Sequence, residues 1–129
     1  MKTKEQIEYH ATRLIDASIA VHRQLGPGLL ESAYQACLRY ELNERGIQAL
    51  CELTLPIIYG SIEIDAGYRI DMLVEDCIIV ENKSLQSLLP VHEAQLLTYL
   101  KLSGHKLGFL INWNVPLLKD GIKRMVLGL

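Results

Sequence analysis

Tyr68-Arg69-Ile70-Asp71-Met72-Leu73-Val74, followed after Glu75-Asp76-Cys77 by Ile78-Ile79-Val80-Glu81-Asn82-Lys83, decides the reading of this chain. Both stretches are rich in β-branched and apolar residues, and on a strand alternate side chains share a face. Tyr68, Ile70, Met72, Val74, Ile78 and Val80 then form one nearly continuous apolar face. Matching these sets across a hairpin sets the register, because a slip by one residue would turn every side chain over. Pairing Val74 with Ile78 around a three-residue loop brings Asp71 opposite Glu81, with Lys83 on the same face roughly 7 Å further along the strand. A two-residue turn would break this parity, so the pairing requires an odd loop or a bulge.

Two carboxylates opposed on neighbouring strands repel unless something compensates them. A hard divalent cation such as Mg²⁺ does so, because it prefers carboxylate oxygens together with water and phosphate. Lys83 is placed to orient or deprotonate an attacking water, or to meet charge developing on a phosphate. The alternative is an ion pair of Asp71 or Glu81 with Lys83 at the surface, worth about 0–1 kcal/mol.

Outward from this hairpin, Thr3 to about Leu25 reads as an amphipathic helix, opened by a Thr3–Gln6 capping box and carrying an Ile7, Ala11, Leu14, Ser18, Val21, Leu25 stripe. Gly26-Pro27-Gly28 breaks it. A second helix runs from about Leu30 to Arg45, with a stripe of Leu30, Ala33, Tyr34, Cys37, Leu38 and Leu42. Leu53, Leu55 and Ile57 alternate as a strand, Tyr59-Gly60-Ser61 reads as a turn, and about Ile62 to Val74 reads as one further strand. Pro90 to Ser103 is helical, Leu107 to Trp113 is a strand, and Leu117 to Leu129 is ambiguous. The order is mixed α/β, and we expect residues 1–129 to form one domain.

The 129 residues suit one compact domain, and 50% hydrophobic with 22% charged residues excludes disorder and a simple coiled coil. No apolar run approaches a membrane span and no secretion signal is evident, so the expected setting is cytoplasmic, without membrane contact. Cys37, Cys51 and Cys77 read as reduced, buried thiols. The net charge of −2 divides unevenly: residues 1–100 hold 8 Lys and Arg against 14 Asp and Glu, whereas residues 101–129 hold 5 against 1. A bulk polyanion binder is usually basic overall, and this chain is not. The late basic residues Lys101, Lys106, Lys119, Lys123 and Arg124 are candidates for a phosphate-binding rim.

An acidic residue in one strand followed by Glu-x-Lys in the next resembles the PD-(D/E)XK nuclease superfamily. Gly28-Leu29-Leu30-Glu31-Ser32-Ala33-Tyr34 resembles the signature of the GxxExxY family of small bacterial and archaeal proteins. Gln95-Leu96-Leu97-Thr98-Tyr99 is similar to the Gln-x-x-x-Tyr helix of members related to recombination exonucleases, and Leu110 to Ile122 is similar to the GxxExxY family's C-terminus. Asn82 departs from the pattern, since an apolar residue is commoner there.

The resemblance implies a restriction-endonuclease-like core with a mixed central sheet flanked by helices. It also implies a nuclease acting on nucleic acid, DNA more than RNA, with Mg²⁺ or Mn²⁺ as cofactor. Asp71 and Glu81 become metal ligands, joined by the Asn82 backbone carbonyl and by Glu31 from the second helix, and Lys83 becomes the catalytic lysine. Gln95 and Tyr99, four apart on one helix face, become supports of the site or of the substrate backbone, and Tyr34 a supporting hydrogen-bond partner. For Glu31 the competing role is a partner of the helix dipole. For Tyr34 and Tyr99 it is ordinary core packing. His92 is expected to cap its helix or lie exposed. A second expectation is a catalytically silent nuclease-fold module acting in nucleic-acid binding or assembly. Either way, little surface remains for gripping a duplex, which points to a homodimer or a partner protein.

Overall fold

The structure is a computed structural model describing residues 1–129. It opens with α1 (Lys4–Leu25), whose N-terminus is closed by the expected capping box. The Thr3 N–H donates to Gln6 Oε1 at 2.8 Å and the Gln6 N–H donates to Thr3 Oγ1 at 3.1 Å. Ser18, the one polar member of the buried stripe, donates to the Leu14 carbonyl at 2.8 Å and so costs little inside the core. The Gly26-Pro27-Gly28 turn leads into α2 (Glu31–Glu44). Leu30 precedes this helix and is exposed, as is Cys37, so the α2 core stripe narrows to Tyr34, Leu38 and Leu42. Of the three cysteines only Cys77 is buried, and all are free.

β1 (Ala49–Thr54), β4 (Arg69–Val74), β5 (Ile78–Lys83), β6 (Leu107–Asn112) and β7 (Ile122–Val126) form a sheet in the order β1-β4-β5-β6-β7. All neighbours are antiparallel except β5 and β6, which are parallel and connected through α3 (Pro90–Ser103). A parallel pair needs such a crossover, and the helix supplies it. The ambiguous tail resolves into a short 3-10 turn, Leu118–Gly121, and the edge strand β7.

The expected single strand from Ile62 to Val74 is two strands. Ile62–Ile64 (β3) pairs with Ile57–Tyr59 (β2) in a separate hairpin, and β4 begins only at Arg69. Asp65 and Gly67 explain the break, because the Asp65 carboxylate accepts from the Gly67 N–H at 3.0 Å and Gly67 holds φ at 84°. Pro56 likewise ends the Leu53-Leu55-Ile57 alternation, leaving β1 and β2 as distinct strands.

Helices cover both faces of the sheet. On the α1–α2 side, Leu14, Leu38, Leu42, Met72, Val74, Ile78, Val80 and Trp113 share one core. On the α3 side, Leu73, Ile79, Leu96, Tyr99, Leu100 and Leu110 share a second. Ile70 joins the α3 core, contrary to the simple alternation that grouped it with Met72 and Val74. The β1–β4 ladder pairs Cys51 with Met72 and Leu53 with Ile70, skipping the step between them, where Glu52 adopts φ of 57°. No residue is inserted, since the register is the same before and after Glu52, but the pairing is interrupted there, and Cys51 and Met72 pack in one core while Leu53 and Ile70 pack in the other. Asp71 stands at that reversal.

Candidate active site

The hairpin register is the one the apolar pattern demands: Val74 pairs with Ile78, Leu73 with Ile79 and Met72 with Val80. The next step brings Asp71 against Glu81, and there side chains replace the backbone ladder. The Asp71 N–H donates to Glu81 Oε2 at 2.9 Å, and the Asn82 N–H donates to Asp71 Oδ2 at 2.8 Å. Each carboxylate is therefore held by the backbone of the opposite strand. One oxygen of each, Asp71 Oδ1 and Glu81 Oε1, takes no protein hydrogen bond.

Glu81 is only 3% exposed. Burial, then the neighbouring Asp71 charge, pushes its carboxyl up to about 8; burial also raises Asp71. Lys83 opposes both shifts, yet no basic side chain lies within ion-pair distance of either acid, since the chain's five ion pairs are all elsewhere. The surface Asp71–Lys83 or Glu81–Lys83 pair is thus not formed. Lys83 ends β5, half-buried, its carbonyl accepting from the Trp113 N–H at 2.9 Å.

Glu31, the first residue of α2, is exposed, and its Oε1 accepts from the Ser84 N–H at 3.3 Å just beyond Lys83. It is near enough for its charge to raise Asp71, but it does not close a cage: no three acidic, histidine or cysteine side chains are gathered tightly enough to hold a metal ion unaided. The Asp71–Glu81 pair nevertheless suits a hard cation. It offers two free carboxyl oxygens, takes on like charges only when both acids ionise, and has no protein cation between them.

Tyr99 is near enough to this pair to feel its charge: its hydroxyl is pushed upward by burial and then by Glu81 and Asp71, with the Tyr68 ring edge-on at 6.4 Å. Gln95 sits one turn earlier on α3, half-buried. Tyr34 is turned away. Its ring stacks on Trp113 at 4.9 Å, and its hydroxyl donates to the Gly26 carbonyl at 2.6 Å and accepts from the Leu29 N–H at 3.1 Å. This fastens the interhelical turn that delivers Glu31. The Asn82 side chain explains the unusual polar residue between Glu81 and Lys83: its Oδ1 accepts from Trp113 Nε1 at 2.9 Å, and its Nδ2 donates to Gln35 Oε1 at 3.3 Å. His92 Nδ1 accepts from the Leu89 N–H at 2.9 Å, capping α3.

A cleft of about 600 Å³ opens beside Asp71 between α2 and β1, with Glu31, Gln35, Arg39, Tyr40 and Glu52 on its walls. The sequence reading missed Gln35, Arg39 and Glu52. Their signal was present in part, because Glu31, Gln35 and Arg39 recur every four residues along one polar face of α2. Asn112 was missed as well: its side chain accepts from the Leu85 N–H at 3.0 Å and donates to the Leu85 carbonyl at 3.1 Å, tying down the loop after Lys83.

An acidic residue on one strand, Glu-x-Lys on its partner and a mixed sheet between helices form one arrangement, and the profile of the PD-(D/E)XK nuclease superfamily matches residues 8–125. The chain belongs to the PD-(D/E)XK nuclease superfamily. The match runs from α1 through β7, so the five-stranded sheet and its flanking helices are the PD-(D/E)XK core. Comparisons with curated proteins and with solved structures find no match. As expected, no helix is long and apolar enough to cross a membrane. The basic rim proposed for this PD-(D/E)XK chain is partly neutralised: Lys123 pairs with Glu93 at 3.7 Å and Arg124 with Glu8 at 2.8 Å.

Proposed function

We propose that this chain is a metal-dependent nuclease that hydrolyses phosphodiester bonds of nucleic acid, DNA in preference to RNA. Asp71 and Glu81 hold Mg²⁺ or Mn²⁺, with Glu31 and the Asn82 carbonyl completing the ligand set. A cation bound there neutralises the carboxylate pair and supplies Lewis-acid polarisation of the phosphodiester. The ammonium group of Lys83, two residues beyond Glu81, meets the charge that develops on the phosphate and orients the attacking water. In the hydrolysis, the water oxygen forms a bond to phosphorus, a sugar P–O bond breaks, and the departing oxygen takes a proton. Gln95 and Tyr99 hold the substrate backbone from the α3 side, and Tyr34 positions Glu31 through the turn it fastens.

The observation that carries this reading is the Asp71–Glu81 pair itself. Two acids that repel once both are ionised are locked together by the opposite strand's N–H groups and left without a protein cation. In a purely structural hairpin such a pair is a cost with no return. The Gly28-to-Tyr34 motif supports placement in the GxxExxY family. We place the protein in the cytoplasm, acting as one domain, with a second copy or a partner chain widening its grip on substrate.

The test is cleavage of single- and double-stranded DNA and RNA with and without divalent ions, comparing wild type with Lys83→Ala and Glu81→Gln. Ion-dependent cleavage lost in both variants is expected; equal cleavage by the variants rejects the assignment. Titration with Mg²⁺ by calorimetry separates the silent module: no heat and no thermal stabilisation would leave nucleic-acid binding or assembly as the function.

A further inference from the structure

We propose that the cleft between α2 and β1 is the track along which a single strand of nucleic acid reaches the Asp71–Glu81 pair, with Arg39 holding a phosphate and Tyr40 stacking on a base. The proposal rests on the nuclease reading and adds how the substrate is gripped beside the cut. Glu31 and Asp71 mark one end of the cleft, and Arg39, Tyr40 and Asn43 mark the other. From Glu31 to Arg39, α2 advances roughly 12 Å, so the far end lies beyond the reacting phosphate along the chain.

Arg39 is the one arginine that lines this cleft. Arg45, Arg69 and Arg124 are each paired with a carboxylate, whereas Arg39, like Arg23, has no ion pair and no hydrogen bond; of these two unpaired arginines Arg39 is the one that lines this cleft, although Glu52 shares it. The Glu52 carboxylate is instead taken by Gln35, whose Nε2 donates to it at 2.7 Å. A free guanidinium facing a groove is a ready phosphate anchor. Tyr40 is 65% exposed, with no aromatic neighbour on its ring. A flat exposed ring one residue from that guanidinium is the pairing single-strand binders use, because every base offers a face to stack on once it is unpaired.

Charge and size agree. Three carboxylates (Glu31, Glu52, Asp71) and one guanidinium line the cleft, so a divalent cation at the Asp71 end offsets most of its negative charge and favours approach of a phosphate backbone. A volume of about 600 Å³ is that of a small-ligand pocket, suited to one strand rather than a duplex.

The test is fluorescence anisotropy with a labelled 12-mer deoxythymidine strand and a duplex of equal length, in Mg²⁺, on a Lys83→Ala background that prevents cleavage. The single strand binds more tightly than the duplex. Adding Tyr40→Ala weakens it by about 5- to 100-fold, and Tyr40→Trp restores it. Adding Arg39→Ala weakens binding and reduces the slope of log affinity against log salt by about 0.7, the share of one single-strand phosphate. Both side chains are exposed, and melting temperatures confirm that the variants fold. Affinities within twofold of the background, or tighter duplex binding, overturn the proposal. Lys83-dependent cleavage with unchanged binding in the Tyr40 and Arg39 variants sinks the cleft and spares the nuclease. Binding lost in those variants without any metal-dependent cleavage by wild type does the reverse.

Discussion

The backbone N–H of Asp71 donates to the Glu81 carboxylate at 2.9 Å, so the strand that carries one acid holds the other in place. The reciprocal bond from the Asn82 N–H to Asp71 completes a two-sided clamp. It keeps together two groups that repel when ionised, and the pair's stability is therefore set by protons or by a cation.

Stability should fall with rising pH in the presence of a chelator. Glu81 is pushed up to about 8 from an ordinary carboxyl value near 4.5, and Asp71 shifts the same way. Between these values the unfolded chain gives up a proton that the folded chain keeps, so the stabilisation is complete below pH 4.5 and is lost as pH rises through 8. Divalent ions bind the ionised pair, so their stabilisation grows with pH. Melting curves of wild type and Glu81→Gln from pH 5 to 9 check this: the variant gains relative to wild type at high pH, by about 5 °C. Parallel curves would contradict it.

Lys83→Ala should separate activity from folding. Lys83 makes no ion pair, so the melting temperature changes by less than about 2 °C. Cleavage falls by about 10²- to 10⁴-fold. Single-turnover rates measured beside the melting curves read both effects, and a large loss of stability would assign Lys83 a structural task.

Asn82→Ala strands a buried donor. Trp113 Nε1 loses its acceptor inside a fully buried ring, which costs about 1–3 kcal/mol. Denaturant titration measures it. Asn82→Leu, which restores the commoner apolar character, still leaves that N–H unpaired and gains back only packing.

Gly121→Ala should be among the most damaging single-methyl changes. A Cβ there would overlap the Asn112 carbonyl oxygen, a backbone atom that cannot turn aside. Asn112 also anchors the loop after Lys83, so both stability and cleavage fall. Gly108→Ala meets only the Leu96 side chain at 2.9 Å, which can rotate, and should cost much less. Thermal melts of the two variants make the comparison.

Local patterns carried much of this in the sequence. Thr3 and Gln6 are three residues apart, so their capping box needs nothing distant. The three-residue loop and the apolar matching of Val74 with Ile78 set the hairpin register, and with it the meeting of Asp71 and Glu81. Pro90 and Gly104 bound α3 by their own backbone preferences. These are short-range constraints, written in residues close along the chain.

Tertiary structure decided what depends on distant partners. Ile70 packs on the opposite face from Met72 at the step where Glu52, on the neighbouring strand, adopts a left-handed backbone and the β1–β4 pairing is interrupted. Asn82 is polar because Trp113 and Gln35, from β6's end and from α2, converge on it. Lys123 and Arg124 are spent on Glu93 and Glu8 only after β7 packs beside α3 and α1. Whether Glu31 draws near the strand carboxylates depends on how Tyr34 and Trp113 stack beneath the interhelical turn, and no spacing rule along one segment encodes that contact.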